Sequence, residues 1–65
     1  MILNDKIHII RVKKGMSLAE LAFKTGYSLT DIKNFETVGT IISGYALLRM
    51  INAFDMSIIE FQDFK

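Results

Sequence analysis

Two helix starts lie 11 residues apart near the middle of the chain, and a glycine stands between them. Ser17 begins the segment Ser-Leu-Ala-Glu, and Ser28 begins Ser-Leu-Thr-Asp. Each segment has the form of a capping box, in which a serine and an acidic residue three positions later satisfy each other's backbone amides. Gly26 suits the end of the first helix, because a residue without a Cβ adopts a left-handed turn without strain. The spacing therefore predicts two short helices joined by a tight turn, a helix-turn-helix unit, over about residues 17–36.

Three further helices are expected, one before this unit and two after it, so the predicted fold class is all-α. Asn4 or Asp5 is expected to cap a first helix that runs to about Lys14. Gly15 is expected to end that helix as its C-cap residue. The other expected elements are helices at about Leu18–Lys24 and Leu29–Glu36, a loop over residues 37–42, a helix at about Gly44–Phe54 capped by Ser43, and a helix capped by Ser57 that reaches about Phe61 or Asp63.

The composition allows a single small domain with an apolar core. Of the 65 residues, 51% are hydrophobic. Chains of this length bury about 60% of the surface that they expose when unfolded. We therefore expect residues 1–65 to form one domain. The side chains expected to face its core at helical spacing are Ile7 and Ile10 of the first helix and Leu47, Leu48, Ile51 and Phe54 of the fourth.

Several classes of function are disfavoured by what the sequence lacks. It contains no cysteine, and His8 is its one histidine, so neither a disulfide nor a metal site is expected. His8 is interpreted as a surface residue of the first helix. No apolar run approaches the roughly 18 residues of a membrane span, and no signal-peptide pattern is present, so we expect a cytoplasmic protein without a membrane partner. No nucleophile–base pair, acid pair or cofactor motif is found, and neither enzymatic activity nor a cofactor is expected.

Charge is distributed unevenly along a chain whose formal net charge is only +1. Residues 1–33 carry a net charge of +3, and residues 34–65 carry −2. This asymmetry allows a basic face on a nearly neutral body, which is compatible with a nucleic-acid partner.

Within the predicted helix-turn-helix unit, small and apolar residues stand at characteristic spacings from one another. Gly26 follows Ala22 by four residues, and Ile32 follows Gly26 by six. Leu21 and Phe35 occupy the remaining apolar positions. In this register the chain resembles the phage repressor and Cro-like helix-turn-helix family, also called the xenobiotic-response-element type. The resemblance implies a compact five-helix, lambda-repressor-like DNA-binding domain, and it runs from about Ile7 to Phe61, including Leu47–Phe54 and the following Met56–Ser57.

The register residues are assigned to the fold and not to a ligand. A side chain larger than that of Ala22 would hold the two helices apart, and a Cβ at Gly26 would oppose the turn. The resemblance also implies a partly buried ion pair between Arg11 of the first helix and Glu36 at the end of the third. The alternative is two separately solvated charges, which would contribute far less to stability.

For function, the resemblance implies that the third helix enters the major groove of DNA with its N-terminal residues facing the bases. Asn34 offers two hydrogen bonds to adenine, Lys33 a donor to guanine or phosphate, and Thr30 a contact to a thymine methyl group or a phosphate. For Thr30 and Lys33 the alternative is an ordinary solvated side chain, and for Asn34 it is a residue that merely weakens the end of the helix. The other residues implied at the interface are Ser17 and Leu18 at the start of the second helix, Ser28 and Leu29 at the start of the third, and Lys24, Thr37, Thr40, Ser43 and Tyr45 along the neighbouring phosphates.

The chain departs from the family at some of these positions. Leu18 and Leu29 stand where many members carry glutamine or another polar residue, and the third helix has no arginine. Fewer cations predict weaker nonspecific affinity for DNA and a shallow dependence on salt. Together with Ile41 and Ile42, the two leucines raise the possibility of an exposed apolar surface, which usually marks a protein partner.

Two functions follow from these observations. The first is a sequence-specific regulator of transcription, a repressor that binds double-stranded DNA at a palindromic operator as a homodimer. The second function has the same fold but involves no DNA binding. The chain would then be a protein-interaction module such as an antirepressor or an inhibitor. The dimer contacts of the first are expected among Ile58, Ile59, Phe61 and Phe64.

Overall fold

The computed structural model describes residues 1–65 and contains five α-helices and no β-strand. The predicted all-α, five-helix fold is confirmed, and the helix boundaries lie close to those expected from the sequence. No helix has the length and apolarity needed to cross a membrane. In chain order the helices are α1 (Leu3–Lys13), α2 (Leu18–Thr25), α3 (Leu29–Phe35), α4 (Gly44–Ala53) and α5 (Ile58–Asp63).

Serine side chains begin four of the five helices. Ser28 Oγ accepts from the amide of Asp31 at 3.0 Å, and the Asp31 carboxylate accepts from the Ser28 amide at 3.3 Å. The capping box expected at Ser17 is only half formed, since the hydroxyl accepts from the Glu20 amide at 3.0 Å without a return bond. The Glu20 carboxylate instead lies 3.9 Å from Lys24 Nζ, because a lysine one turn on offers it a charged partner. Ser43 and Ser57 cap α4 and α5, the latter with a complete box.

The start of α1 differs from the expectation, because Asn4 is a buried residue and not a cap. The N-cap residue is Ile2, and no side chain accepts from the first amides of the helix. Asn4 Nδ2 donates to the carbonyl oxygens of Phe35 at 2.7 Å and Thr40 at 3.1 Å. Carbonyl groups at the end of a helix and in a loop lack helical partners, and buried ones must be satisfied elsewhere. Asn4 therefore ties α1 to both ends of the loop that follows α3.

Helices α1 and α4 end in left-handed turns. Gly15 has a φ of 67° and follows Lys14, so the C-cap residue is Lys14 and the glycine lies one position beyond it. The amide of Met16 then donates to the carbonyl of Arg11 at 3.1 Å, as in a Schellman motif. Asp55 takes the glycine's place after α4 with a φ of 56°. Both turns reverse the chain sharply enough for the next helix to begin within a few residues.

The core is one cluster of 12 buried hydrophobic residues, to which all five helices contribute. Leu48 was expected in it but is 46% exposed. Ala46, Met50 and Ala53 take the inward face of α4, and this leaves Leu48 turned outward. The complete cluster is Ile7, Ile10, Met16, Leu21, Ala22, Ile32, Ala46, Met50, Ile51, Ala53, Phe54 and Phe61.

Helix α5 is held against α1 by lysine–aromatic contacts. Lys6 Nζ lies 4.7 Å from the ring centroid of Phe61, and Lys13 Nζ lies 5.3 Å from that of Phe64. Lys6 Nζ also donates to the carbonyl of Gln62 at 3.2 Å. Two cations of α1 are therefore used to dock the last helix.

Candidate nucleic-acid interface

The turn between α2 and α3 is tight and closely packed. Gly26 has a φ of 81°, and its amide donates to the carbonyl of Ala22 at 2.9 Å, which closes the last turn of α2. Thr25 is buried, and its hydroxyl donates to the carbonyl of Leu21 at 2.8 Å. Ala22 is buried where α2 packs against α3 and α4. The short side chain lets the helices approach closely, and the left-handed glycine lets α3 begin three residues after α2.

This docking fixes which side of α3 faces outward. Ile32 is fully buried, so the opposite side of the helix is presented to solvent. Leu29, Thr30, Lys33 and Asn34 are all exposed there. Residues at positions i, i+1, i+4 and i+5 share one face of an α-helix. The structure therefore brings these four candidate DNA-contact residues together on one surface, which we call the outer face of α3.

The remaining candidate residues are more varied in their surroundings. Ser17 and Ser28 are exposed, and each hydroxyl already accepts a capping bond. Leu18 is half-buried and packs against the core, so its side chain is not part of a free apolar surface. The other five are Lys24, which is exposed beside Glu20, Thr37, whose hydroxyl donates to the carbonyl of Lys33 at 2.9 Å, Thr40, whose carbonyl accepts from Asn4, Ser43, whose hydroxyl caps α4, and Tyr45, which is 67% exposed.

The loop between α3 and α4 carries apolar side chains into solvent. Ile41 is 92% exposed and Val38 57% exposed, whereas Ile42 packs against the core. Four residues were considered from the sequence as parts of an exposed apolar surface. Leu29 and Ile41 are exposed, whereas Leu18 and Ile42 pack against the core.

Arg11 and Glu36 form a bidentate ion pair between α1 and the end of α3. Arg11 Nε donates to Glu36 Oε2 at 2.6 Å, and Arg11 Nη2 donates to Oε1 at 3.1 Å. The side chains are 11% and 9% exposed, so the pair is largely removed from water. Arg11 Nη1 also donates to the carbonyl of Met16 at 2.8 Å, just before α2 begins. One arginine therefore connects α1 to both ends of the helix-turn-helix unit.

His8 takes part in the same cluster, which its interpretation as a plain surface residue did not foresee. Its ring Nδ1 lies 2.6 Å from Glu36 Oε1. A carboxylate can only accept, so we assign the proton of this bond to Nδ1. The side chain of His8 remains 53% exposed. Since the partners are 28 residues apart, no local pattern in the sequence could have indicated the contact.

We expect the free energy of unfolding to decrease as the pH falls below 4.5, and Glu36 to account for part of the decrease. Burial raises the pKa of Glu36, but hydrogen bonds and positive charge from Arg11 and His8 outweigh it and hold that pKa below its ordinary value of 4.5. A carboxyl group with a lower pKa in the folded chain stabilises the fold above its unfolded pKa. That contribution is lost as the pH falls through its folded pKa. In urea unfolding between about pH 6 and pH 3, stability should fall more steeply for the unsubstituted protein than for Glu36→Gln, and equal slopes would contradict the expectation.

Comparison with protein families places this fold among DNA-binding regulators. A family model described as helix-turn-helix matches residues 7–61, which is most of the chain. The chain belongs to this family, in its phage repressor and Cro-like branch. The family consists of DNA-binding regulators of transcription and is not a family of enzymes. Comparison with curated proteins and with solved structures gives no match.

Proposed function

We propose that this protein is a transcriptional repressor that binds a palindromic operator as a homodimer, with residues 1–65 acting as one domain in the cytoplasm. The observation that carries the proposal is the outer face of α3. Leu29, Thr30, Lys33 and Asn34 project together from a helix held rigidly by the tight turn and by the ion pair of Arg11. In this family a helix so placed lies in the major groove.

Each polar residue of the outer face has a distinct proposed role. Asn34 makes two hydrogen bonds to the N6 and N7 edge of an adenine, and Lys33 donates to a guanine or to a phosphate. Thr30 contacts a phosphate or a thymine methyl group. Leu29 adds an apolar contact, which suits a thymine methyl group better than a hydrogen-bonding base edge.

Backbone contacts are assigned to residues on either side of α3. Two of these contacts come from α2, which precedes the turn. They are the first backbone amides of the helix, which follow Ser17, and the side chain of Lys24 near its end. Thr37 and Thr40 lie in the loop after α3. Contacts of this kind set the register of the protein on DNA without reading sequence.

The homodimer is supported by an exposed apolar surface on α4 and α5. Ile58 and Ile59 are 51% and 69% exposed, and Leu48 is 46% exposed. Phe61, also expected at the dimer contact from the sequence, belongs to the core, and Phe64 packs against the core. We therefore propose Leu48, Ile58 and Ile59 as the dimer contact, which would set two copies of α3 at the spacing of two operator half-sites.

A second function, a protein-interaction module without DNA binding, is favoured by other exposed apolar residues. Phe23 on α2 is 89% exposed, and Ile41 in the loop after α3 is 92% exposed. Exposed side chains of this size more often mark a protein partner than a phosphate backbone. The two functions make opposite predictions about duplex DNA.

Selection from mixed-sequence duplex DNA distinguishes them. We expect the protein to enrich a palindromic site, and Asn34→Ala to relax the preference at one base pair of each half-site at a cost of about 1–3 kcal/mol. Lys33→Ala should weaken binding by a similar amount if Lys33 reads guanine, or uniformly across sequences if it contacts phosphate. Lys14→Ala, which removes one cation at the end of α1, serves as the control and should leave the selected sequence unchanged. If no sequence is enriched, the interaction-module function replaces the proposal.

A further inference from the structure

Arg49 of α4 lies within cation–π distance of two tyrosine rings. Its guanidinium carbon lies 5.7 Å from the ring centroid of Tyr27 and 5.2 Å from that of Tyr45. Tyr45 precedes Arg49 by one helical turn on α4, whereas Tyr27 lies in the turn between α2 and α3. Tyr27 is in turn fixed by an edge-to-face contact with Phe35, whose ring centroid is 5.3 Å away. The arginine is therefore exposed but fixed in position, which is unusual for a long charged side chain.

The guanidinium lies directly beside the helix-turn-helix turn. A Cβ placed on Gly26 would lie 3.7 Å from Arg49 Nη2. Gly26 ends α2, and α3 begins at Leu29, so Arg49 reaches the end of α3 that the family directs at DNA. This position was not apparent from the sequence, in which Arg49 is 20 residues beyond the start of α3.

The donors of Arg49 are free. The ion pairs of the chain join His8 and Arg11 to Glu36 and Lys24 to Glu20, and none includes Arg49. Among the lysines and arginines, only Lys6 and Arg11 donate hydrogen bonds within the protein. A guanidinium has five N–H donors and cannot lose its charge in a protein. Contact with the two rings leaves these N–H donors without a hydrogen-bond partner in the chain, so they are available to an anion.

A second cation faces the same space. A shallow polar cleft of about 350 Å³ beside Arg49 is lined by Lys24, Arg49, Asn52, Ala53 and Asp55. Lys24 and Asn52 add donors to those of Arg49, and Asp55 is the one carboxylate in the lining. The lining therefore has a net charge of +1 and mainly presents hydrogen-bond donors.

We propose that Arg49, held by Tyr27 and Tyr45, is a phosphate-binding residue that extends the DNA interface from α3 onto α4. This proposal rests on the proposed function. It gives the DNA backbone next to the recognition helix an arginine contact from α4, since α3 itself has no arginine. Phosphate suits the site because a planar guanidinium edge makes two parallel hydrogen bonds to its oxygens. A phosphate of DNA, and not a free phosphate, is the proposed ligand because Arg49 lies beside Gly26 and Tyr27, in the turn that leads into α3.

The test is the salt dependence of DNA binding by the Arg49→Gln variant. Each phosphate contact contributes about 0.9 to the slope of log Kobs against log salt concentration. We expect Arg49→Gln to reduce that slope by about 1 and to weaken binding about tenfold, equally for the selected site and for random duplex. Arg49→Lys retains the charge but not the planar edge, so it should keep the slope and lose part of the affinity. Lys14→Ala is the control that removes one cation near α5, and it should leave the slope unchanged.

Each outcome bears on one proposal in a defined way. Circular dichroism melting of each variant first confirms that it is folded at the assay temperature. If the unsubstituted protein binds duplex DNA and Arg49→Gln has the same slope and affinity, the assignment of Arg49 is wrong while the proposed function stands. If the unsubstituted protein binds no duplex, both fail. If inorganic phosphate shifts the NMR signals of Arg49 at low millimolar concentration and the slope is unchanged, the site binds free phosphate and the assignment to DNA is overturned.

Discussion

Replacing Arg11 by alanine is expected to remove about 3–5 kcal/mol from the free energy of unfolding. The substitution leaves the Glu36 carboxylate, 9% exposed, with only His8 as a charged partner, and it leaves the carbonyl of Met16 without its donor. A chain of this length is expected to have a total stability of only about 3–10 kcal/mol. We therefore expect the variant to melt at least about 10 °C lower, or to be unfolded at room temperature.

The matched control is the exposed ion pair of α2. Lys24 and Glu20 are 3.9 Å apart and 42% and 49% exposed, so Lys24→Ala also removes one cation from one ion pair. Exposed pairs at this spacing contribute about 0.3–0.5 kcal/mol. Urea unfolding of both variants at neutral pH measures the difference. A loss below about 1 kcal/mol for Arg11→Ala would show that burial of the pair does not make it important.

The second large effect is expected at Phe54. This residue is 1% exposed and ends α4 in the middle of the core, and Phe54→Ala should cost about 3–5 kcal/mol through lost apolar contact and the cavity left behind. The same change at Phe23, which is 89% exposed, should stay within about 0.5 kcal/mol. Thermal unfolding of the two variants provides the comparison, and similar losses would contradict the position of Phe54 in the core.

The Phe23→Ala variant also bears on function. If the protein acts through DNA, removal of this exposed ring on α2 should leave the selected operator unchanged. If it acts as an interaction module, Phe23 is among the side chains most available to a protein partner. The variant therefore separates the two functions without loss of the fold.

Much of the local structure could be predicted because its causes are local. The serines at positions 28, 43 and 57 and the glycine at 26 act within three or four residues, and a helix begins or ends at each of them. The register of Ala22, Gly26 and Ile32 was enough to predict the helix-turn-helix unit. The outer face of α3 followed, because once Ile32 is inside, helical geometry places Lys33 and Asn34 outside.

Failures of local prediction occurred where a distant group competed for a side chain. Asparagine is a common N-cap residue, but the side chain of Asn4 is buried because it donates to carbonyl groups 31 and 36 residues away. Leu48 has the spacing of a core residue but is turned outward, because Ala46 and Met50 already fill the inward face of α4. At Asn4 two distant carbonyl groups decided the side-chain position, and at Leu48 the packing of α4 against the rest of the core decided it.

The amino-acid sequence alone was enough to predict that this protein is helical, where α2 to α5 begin, and which side of α3 is exposed. Caps, turn glycines and helical periodicity depend on neighbours within one or two turns, so they can be read without coordinates. Only the tertiary structure decided that Arg11, His8 and Glu36 meet, and that Arg49 stands between Tyr27 and Tyr45 beside the turn. These contacts join residues on different helices, and their distances depend on how the helices pack.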